Sequence, residues 1–255
     1  MKMLMRVFLL TGLSIVYQAG PVHSAGIALV TGINGEATVK RDPTPQNPRL
    51  KFKDDLFWRD TLSTGTDSRL RILLLQKSVV TMRELSQLQL REELASPAQP
   101  KNKSVVNLIS GATRVVVEKD ALKNTDYEVH TNMAVAAIRG SDVFAQTIAQ
   151  TGGGSDVEIC TGPGSTATAT HNDPAVGQRE MPPLTCGIFF PNGWEWRQIP
   201  PLEYLRRVDF PFGPQHRGSP DYVPRHNPGV ELPPLNVDLL RHPNRIPRIG
   251  PPIPG

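Results

Sequence analysis

Asp54, Asp55, Asp60 and Asp67 are the clustered carboxylates of this chain, and such groups could serve acid–base chemistry on a glycosidic bond or hold a calcium ion. Neither chemistry finds its spacing: no run matches an EF-hand loop, and nothing fixes two of these carboxylates on one rigid element. Asp60 and Asp67 flank Thr64-Gly65, where short acids commonly hydrogen-bond turn backbone, so both are expected to be structural. His130, His171, His216, His226 and His242 are scattered, with no His-x-x-x-His pair. No Gly-x-Ser-x-Gly elbow, P-loop or dinucleotide fingerprint occurs. The expectation is a protein that is not an enzyme, with no cofactor and no metal site.

Three features suit binding or stapling better than reaction. Arg139 beside Gly140 is able to take a carboxylate or phosphate bidentately. The stronger expectation is structural, with Gly140 supplying a backbone conformation closed to other residues and Arg139 pairing with Asp60, Asp67 or Asp142. Trp194 and Trp196 would share one strand face, as sugar-stacking or partner-binding aromatics do; packing in the core against a disulfide is the preferred alternative. That disulfide is expected between Cys160 and Cys186, the two cysteines of the chain, if it is exported to an oxidising compartment. Unstrained, it would contribute roughly 3 kcal/mol, and a metal site on these thiols lacks nearby His or Cys ligands.

The elements that would position these residues are short and β-branched. Residues 126–131 alternate Tyr127, Val129 and Thr131 against Asp126, Glu128 and His130, and residues 134–138 follow as a small apolar run. Further strands are expected over residues 36–40, 69–75, 87–90, 104–109, 113–118 and 143–148. Leu70, Ile72 and Leu74 should face a core with Arg69 and Arg71 opposite, and Val115 and Val117 repeat the pattern. The class is therefore all-β, and periodicity leaves a sandwich-like and a solenoid-like closure both open. No exact internal repeat is apparent. Residues 42–49, 96–103 and 152–154 carry Pro or Gly clusters and should be surface loops. Pro200-Pro201 followed by Leu202, Leu205, Arg206 and Val208 predicts a short helix whose apolar residues cap the end of the β domain.

The segments Gly32-Ile33-Asn34-Gly35-Glu36-Ala37-Thr38-Val39, Arg59-Asp60-Thr61-Leu62-Ser63-Thr64-Gly65-Thr66-Asp67-Ser68-Arg69-Leu70, the run 72–81 and Ala137-Ile138-Arg139-Gly140 stand in the order of a FecR-type domain, which the chain resembles over residues 31–146. Asp60, Thr64, Gly65, Asp67, Ser68, Arg69 and Gly140 fall on its structural motif. Two departures stand out: Gln76-Lys77-Ser78 replaces the family's Asp-Gly-Ser, and Gly140-Ser141 replaces Gly-Thr. Asp-Gly suits a hairpin turn with positive φ and Gln-Lys does not, so a longer or different turn is expected between Leu75 and Val79. The resemblance implies a solenoid-like β architecture. It also implies a place in envelope signalling, where family members join a cytoplasmic sigma-factor regulator to a periplasmic part that hears an outer-membrane transporter. This chain resembles the periplasmic part alone, so anti-sigma activity is not carried over.

Residues 1–24 have Lys2 and Arg6, an apolar run from Val7 to Tyr17 and small residues beyond, the layout of a Sec-type signal peptide. The run is too short to favour a membrane span. The organisation expected is a signal peptide (1–24), a FecR-like β domain (27–150), a β extension with the disulfide (151–199), then a helix and a disordered proline-rich tail (200–255). Lys2 and Arg6 supply two units of the formal +4 charge, and no basic cluster with interleaved aromatics occurs, which argues against nucleic acid. The function expected is a binding, scaffold or sensing module of the periplasm or secreted space, whose partner is an envelope protein or polysaccharide. The alternatives are an envelope glycan-active enzyme and a soluble partner in transporter-linked signalling.

Overall fold

Alternating apolar side chains form one core because the chain lays them on two facing sheets. The computed structural model describes residues 26–208, positions 45, 98 and 152 excepted; the segment 1–24 expected to be a signal peptide, Gly152 of the glycine loop and the proline-rich segment from Pro211 lie outside the described residues. Strand β1 (Ala28–Asn34) enters sheet A, β2 (Ala37–Lys40) sheet B, β3 (Asp55–Leu56) sheet A and β4 (Thr61–Thr64) sheet B. Pairs then follow: β5 (Arg69–Leu74) and β6 (Ser78–Met82) in A, β7 (Gln87–Glu93) and β8 (Asn102–Ser110) in B. After the single β9 (Ala112–Val117) in A come β10 (Thr125–His130) and β11 (Ala134–Ile138) in B, then β12 (Asp142–Ala149) and β13 (Ser155–Thr161) in A. Strands β14 (Ala167–His171) and β15 (Gln178–Met181) lie in B, β16 (Thr185–Phe190) and β17 (Gly193–Gln198) in A, and helix α1 (Pro201–Val208) follows.

Sheet A thus has nine strands and sheet B eight, each ordered nearly as the chain runs. The two closures left open by periodicity coexist: the packing is that of a sandwich, and the chain winds from sheet to sheet while advancing along it. All described ladders are antiparallel except β8 with β10, which are parallel because β9 carries the crossover through the opposite sheet. The inward residues Leu70, Ile72, Leu74, Val80, Val115, Val143 and Ile159 of sheet A share one core with Leu62, Leu88, Leu90, Val106, Val129, Ala136 and Ala169 of sheet B. The expected strands are all present, and β8 starts at Asn102, inside the segment expected to be a loop. Fully burying one such Leu or Ile contributes about 1.5–3 kcal/mol.

An approximate internal repeat controls the crossings. Thr64-Gly65-Thr66-Asp67-Ser68 ends β4 and Thr161-Gly162-Pro163-Gly164-Ser165 ends β13, each before a hairpin in the opposite sheet. Thr64 Oγ1 donates to the Arg83 carbonyl at 2.5 Å and accepts from the Ser86 amide at 3.0 Å. Thr161 Oγ1 likewise donates to the Pro182 carbonyl at 2.6 Å and accepts from the Thr185 amide at 3.2 Å. Gly65 N bonds Glu36 O, and Gly162 N bonds Asp142 O, both at 2.9 Å. Residues Leu85 and Leu184, just before the returning strands, both have positive φ, 51° and 56°. The two copies occupy exchanged sheets, so the unit recurs with a screw-like swap that exact sequence matching misses.

At the hairpin of β5 and β6, Leu74 pairs Ser78, and the Lys77 amide donates to Leu74 O at 3.2 Å. The central residues are Leu75 and Gln76, with φ of 50° and 57°. The turn is longer than a two-residue hairpin, as expected, with residues 75–77 between the paired Leu74 and Ser78; positive φ is nonetheless kept, one residue earlier than Gln76-Lys77, where partly buried Leu75 packs against the core. Gln76 is exposed and bears steric cost that glycine would not. Gln76→Gly should raise stability by about 0.5–1 kcal/mol after glycine's extra chain entropy is deducted, measured by urea unfolding.

Candidate interaction surfaces

The corner at Arg139 and Gly140 divides into an exposed ion pair and a packing constraint. Arg139 is 59% exposed and its Nη1 lies 3.8 Å from Asp126 Oδ1, so its partner is Asp126 in place of the expected Asp60, Asp67 or Asp142. Those acids are spent elsewhere or out of reach: Asp60 pairs with Arg41 at 3.0 Å, Asp142 with Arg114, and Asp67 sits on an exposed turn at φ 50°. Gly140 is not among the glycines of positive φ. A Cβ there would lie 2.4 Å from Thr166 N and 2.5 Å from Ser165 Cα. Close backbone approach, not a special conformation, is what requires glycine. Gly35 meets Ser68 in the same way in the first copy of the repeat, and there φ is also positive, at 78°.

The motif residues act as stitches. Ser68 Oγ accepts from Glu36 N at 2.8 Å and donates to Thr66 O at 2.9 Å. Asp60 accepts from Phe57 N at 2.9 Å as well as from Arg41. Arg69 lies on the outward side of β5, opposite the buried Leu70.

Trp194 and Trp196 do share a face, but it is not the disulfide's. Phe189 pairs Trp194 and Gly187 pairs Trp196, whereas Cys186 pairs Arg197 one residue away and therefore points to the other side. The indoles meet at 5.2 Å between centroids, Phe189 stands 5.4 and 5.9 Å from them, and His171 of sheet B lies 6.4 Å from Trp194. Half-buried against the main core, they close one end of the sandwich between edge strands, and the Arg179 guanidinium lies 5.3 Å from the Trp196 ring. Ala134 of β11 pairs His171, while Ile138, next to Arg139, pairs Ala167. Four residues of strand, about 13 Å, thus separate Arg139 from the tryptophan end, and they form no common site.

Cys160 and Cys186 are bonded across β13 and β16. With Phe144 they form a patch on the outer face of sheet A, which Tyr204 and Val208 of α1 cover together with Ile199. The helix therefore lies on a sheet face and does not cap the end of the domain; Leu202 and Leu205, expected to be its buried residues, are 37% and 52% exposed. Tyr204 and Val208, four residues apart, share the buried face, which leaves Leu202 and Leu205 directed outward. Beside the disulfide, Glu158 accepts from Gln146 at 2.7 Å and pairs with Arg207 at 3.2 Å, and Glu203 ties Arg207 and Arg197 together at 2.8 and 3.1 Å. Arg114 grips Asp142 through two bonds of 2.9 and 2.7 Å below Tyr204. Burial and then the Asp142 charge push the Tyr204 hydroxyl far above the usual phenol range. Glu158, Cys160 and Cys186 offer donor atoms within 4.8 Å of one another, but the disulfide leaves no thiolate to ligate a metal.

The outer face of sheet B presents Thr38, Ser63, Gln87, Gln89, Asn107, Thr168 and Thr170, all partly or fully accessible. At its centre lies Glu128, only 9% exposed, with Lys103 Nζ at 3.0 Å and His130 Nε2 at 2.7 Å. Burial alone would raise the Glu128 carboxyl, but the hydrogen bonds from His130 and Lys103 outweigh it and hold the group below its ordinary value of 4.5. The sequence shows these residues as outward alternants of β8 and β10; that they converge follows from the parallel pairing of the two strands, which local patterning does not reveal.

Two expected outcomes follow from this geometry. Gly140→Ala should cost about 2–3 kcal/mol by overpacking against backbone, while Arg139→Ala should change stability by less than about 0.5 kcal/mol, its ion pair being exposed; thermal melts of both variants test the contrast. For Glu128, a folded value below the unfolded one gives stability that is present above pH about 4.5 and lost as pH falls through the folded value. The stability gap between wild type and Glu128→Gln, compared by urea melts from pH 6 to pH 3, should be full at pH of about 5 and narrow below pH of about 4.

Among the described residues no helix is long and apolar enough to cross a membrane. No curated protein matches the chain. Two crystal structures of a "putative anti-sigma factor" from Parabacteroides distasonis ATCC 8503, at 1.65 and 2.50 Å, align at 16% identity and a TM-score of 0.41, covering 54% of this chain. The alignment spans 59% of the length of those chains. The family model described as FecR protein matches residues 60–163, from the clamped Asp60 through the second Thr-Gly stitch. Residues 60–163 therefore match the FecR domain that the sequence resembles.

Proposed function

We propose that this chain is an exported, non-enzymatic binding or sensing module of the bacterial envelope, with the β sandwich as its platform and the proline-rich segment as a second contact. One observation carries the reading. Asp60, Glu128, Asp142 and Glu158, the four buried carboxylates among the described residues, are each neutralised by a cation, respectively Arg41, Lys103, Arg114 and Arg207. A catalytic acid or base needs a pKa poised by an incomplete set of partners, and these acids have complete ones. What the surface offers instead is the hydroxyl- and amide-bearing outer face of sheet B and the aromatic end at Trp194 and Trp196, both suited to contact with a protein or polysaccharide.

A glycan-active enzyme would need Asp60 or Asp67 to act on substrate; the first is enclosed by Arg41 and backbone, and the second has no carboxylate partner on a rigid element. Proline-rich segments dock with little loss of entropy, and α1, which precedes this one in the sequence, is held on sheet A through Glu158 and the patch over the disulfide. Removing the chain from Pro211 onward should leave the melting temperature within about 2 °C of the parent while reducing the yield of crosslinked envelope partner from cells. A large loss of stability, with capture unchanged, would reverse the assignment of platform and arm.

A further inference from the structure

The turn before β4 is held in a sterically costly conformation. Arg59 adopts φ 73° although it carries a full side chain, and the surrounding contacts hold it there. The Arg41 guanidinium donates to Asp55 O at 2.6 Å, pairs with Asp60 and lies 4.8 Å from the Phe57 ring. Arg59 N donates to Leu90 O at 2.7 Å, and Leu90 N donates to Asp60 O at 3.1 Å, which rivets the turn to β7. A left-handed residue other than glycine or asparagine, fixed this firmly, points to a side chain whose position matters.

That position is the rim of a groove of about 540 Å³ lined by Trp58, Arg59, Gln89, Arg91, Glu92 and Leu94. Trp58 rests partly on the core and keeps part of its surface open. Arg59 and Arg91 are exposed. Among the described residues neither has a carboxylate within ion-pair distance, in contrast to Arg41, Arg49, Arg114, Arg197 and Arg207, which do. We propose that this groove binds an acidic saccharide, with the carboxylate held by Arg59 and Arg91 and a sugar face resting on Trp58. Indole faces suit the C–H side of a pyranose, paired guanidinium groups suit a carboxylate, and the Gln89 amide and Glu92 carboxylate supply partners for hydroxyls. The volume falls within the range of small-ligand sites, roughly 300–1,000 Å³. The proposal deepens the binding-module reading, on which it rests, by naming the ligand class and the place.

The test is titration calorimetry of the mature full chain with tetragalacturonate, its methyl ester and a neutral maltotetraose, with a tetraglutamate peptide as the competing chemistry. Tetragalacturonate should bind, more weakly at high salt, and the ester and neutral sugar should bind at least tenfold more weakly. Arg91→Gln should reduce affinity tenfold or more with an unchanged melt. Arg59→Gly should reduce it equally while holding or raising the melting temperature, because it removes the guanidinium and the steric cost together; this separates a binding role from a structural one. Equal affinity for ester and acid, unaltered binding in both variants, tighter binding of the peptide, or no binding at all would overturn the proposal. If calorimetry overturns the groove while the wild-type chain still captures an envelope partner from cells, the groove assignment fails alone and the module reading stands; loss of capture as well would overturn both.

Discussion

Burial of alternating side chains between two sheets is the constraint on which the rest of this protein depends. Because the strands are short and every connection of β4 through β17 either turns within a sheet or crosses to the other, no strand pair has an apolar face that could survive by itself in water. The core exists only once the chain has wound through both sheets, so each coil depends on the next. The Thr-Gly-x-x-Ser stitches lie where that winding changes sheet, and they satisfy backbone groups that would otherwise be buried without partners. Glycine at positions 35 and 140 lets two backbones pass where any Cβ would intrude.

The outer faces are treated unequally. Sheet A is covered along part of its face by α1, with the disulfide, Phe144 and two buried ion-pair groups beneath it. These paired charges are expensive to separate, since removing one partner strands the other in a dry environment, and so they fix where the helix sits more than they add to stability. Sheet B keeps a polar and accessible face. Among the described residues the buried acids hold elements in place, while hydroxyls and amides remain at the surface of sheet B.

The groove at Trp58 illustrates how such a surface is specified. Arg41 lies in the strand-to-loop segment after β2, Asp60 before β4, and Leu90 in β7, yet all three converge on one turn. None of these residues is informative singly. The fold brings them together, and the strained backbone at Arg59 persists because several independent bonds over-determine it.

Composition and periodicity were enough to determine the all-β class, the inward set Leu70, Ile72, Leu74, Val115 and Val117, the short helix after Pro200 and the pairing of the two cysteines, because each depends on local alternation or on counting. The resemblance carried by Asp60 through Leu70 and by Ala137 through Gly140 was read over residues 31–146, and the FecR model matches residues 60–163. Sequence could not say which face of β16 the disulfide takes relative to Trp196, which acid Arg139 meets, or that Tyr204 rather than Leu205 turns inward. Those outcomes turn on a one-residue parity, a strand order and the choice of helix face, each settled by packing between segments far apart in the chain. The recurrence of the Thr-Gly-x-x-Ser stitch was present in the letters throughout, but only the exchange of sheets between its two copies shows that they are one structural unit.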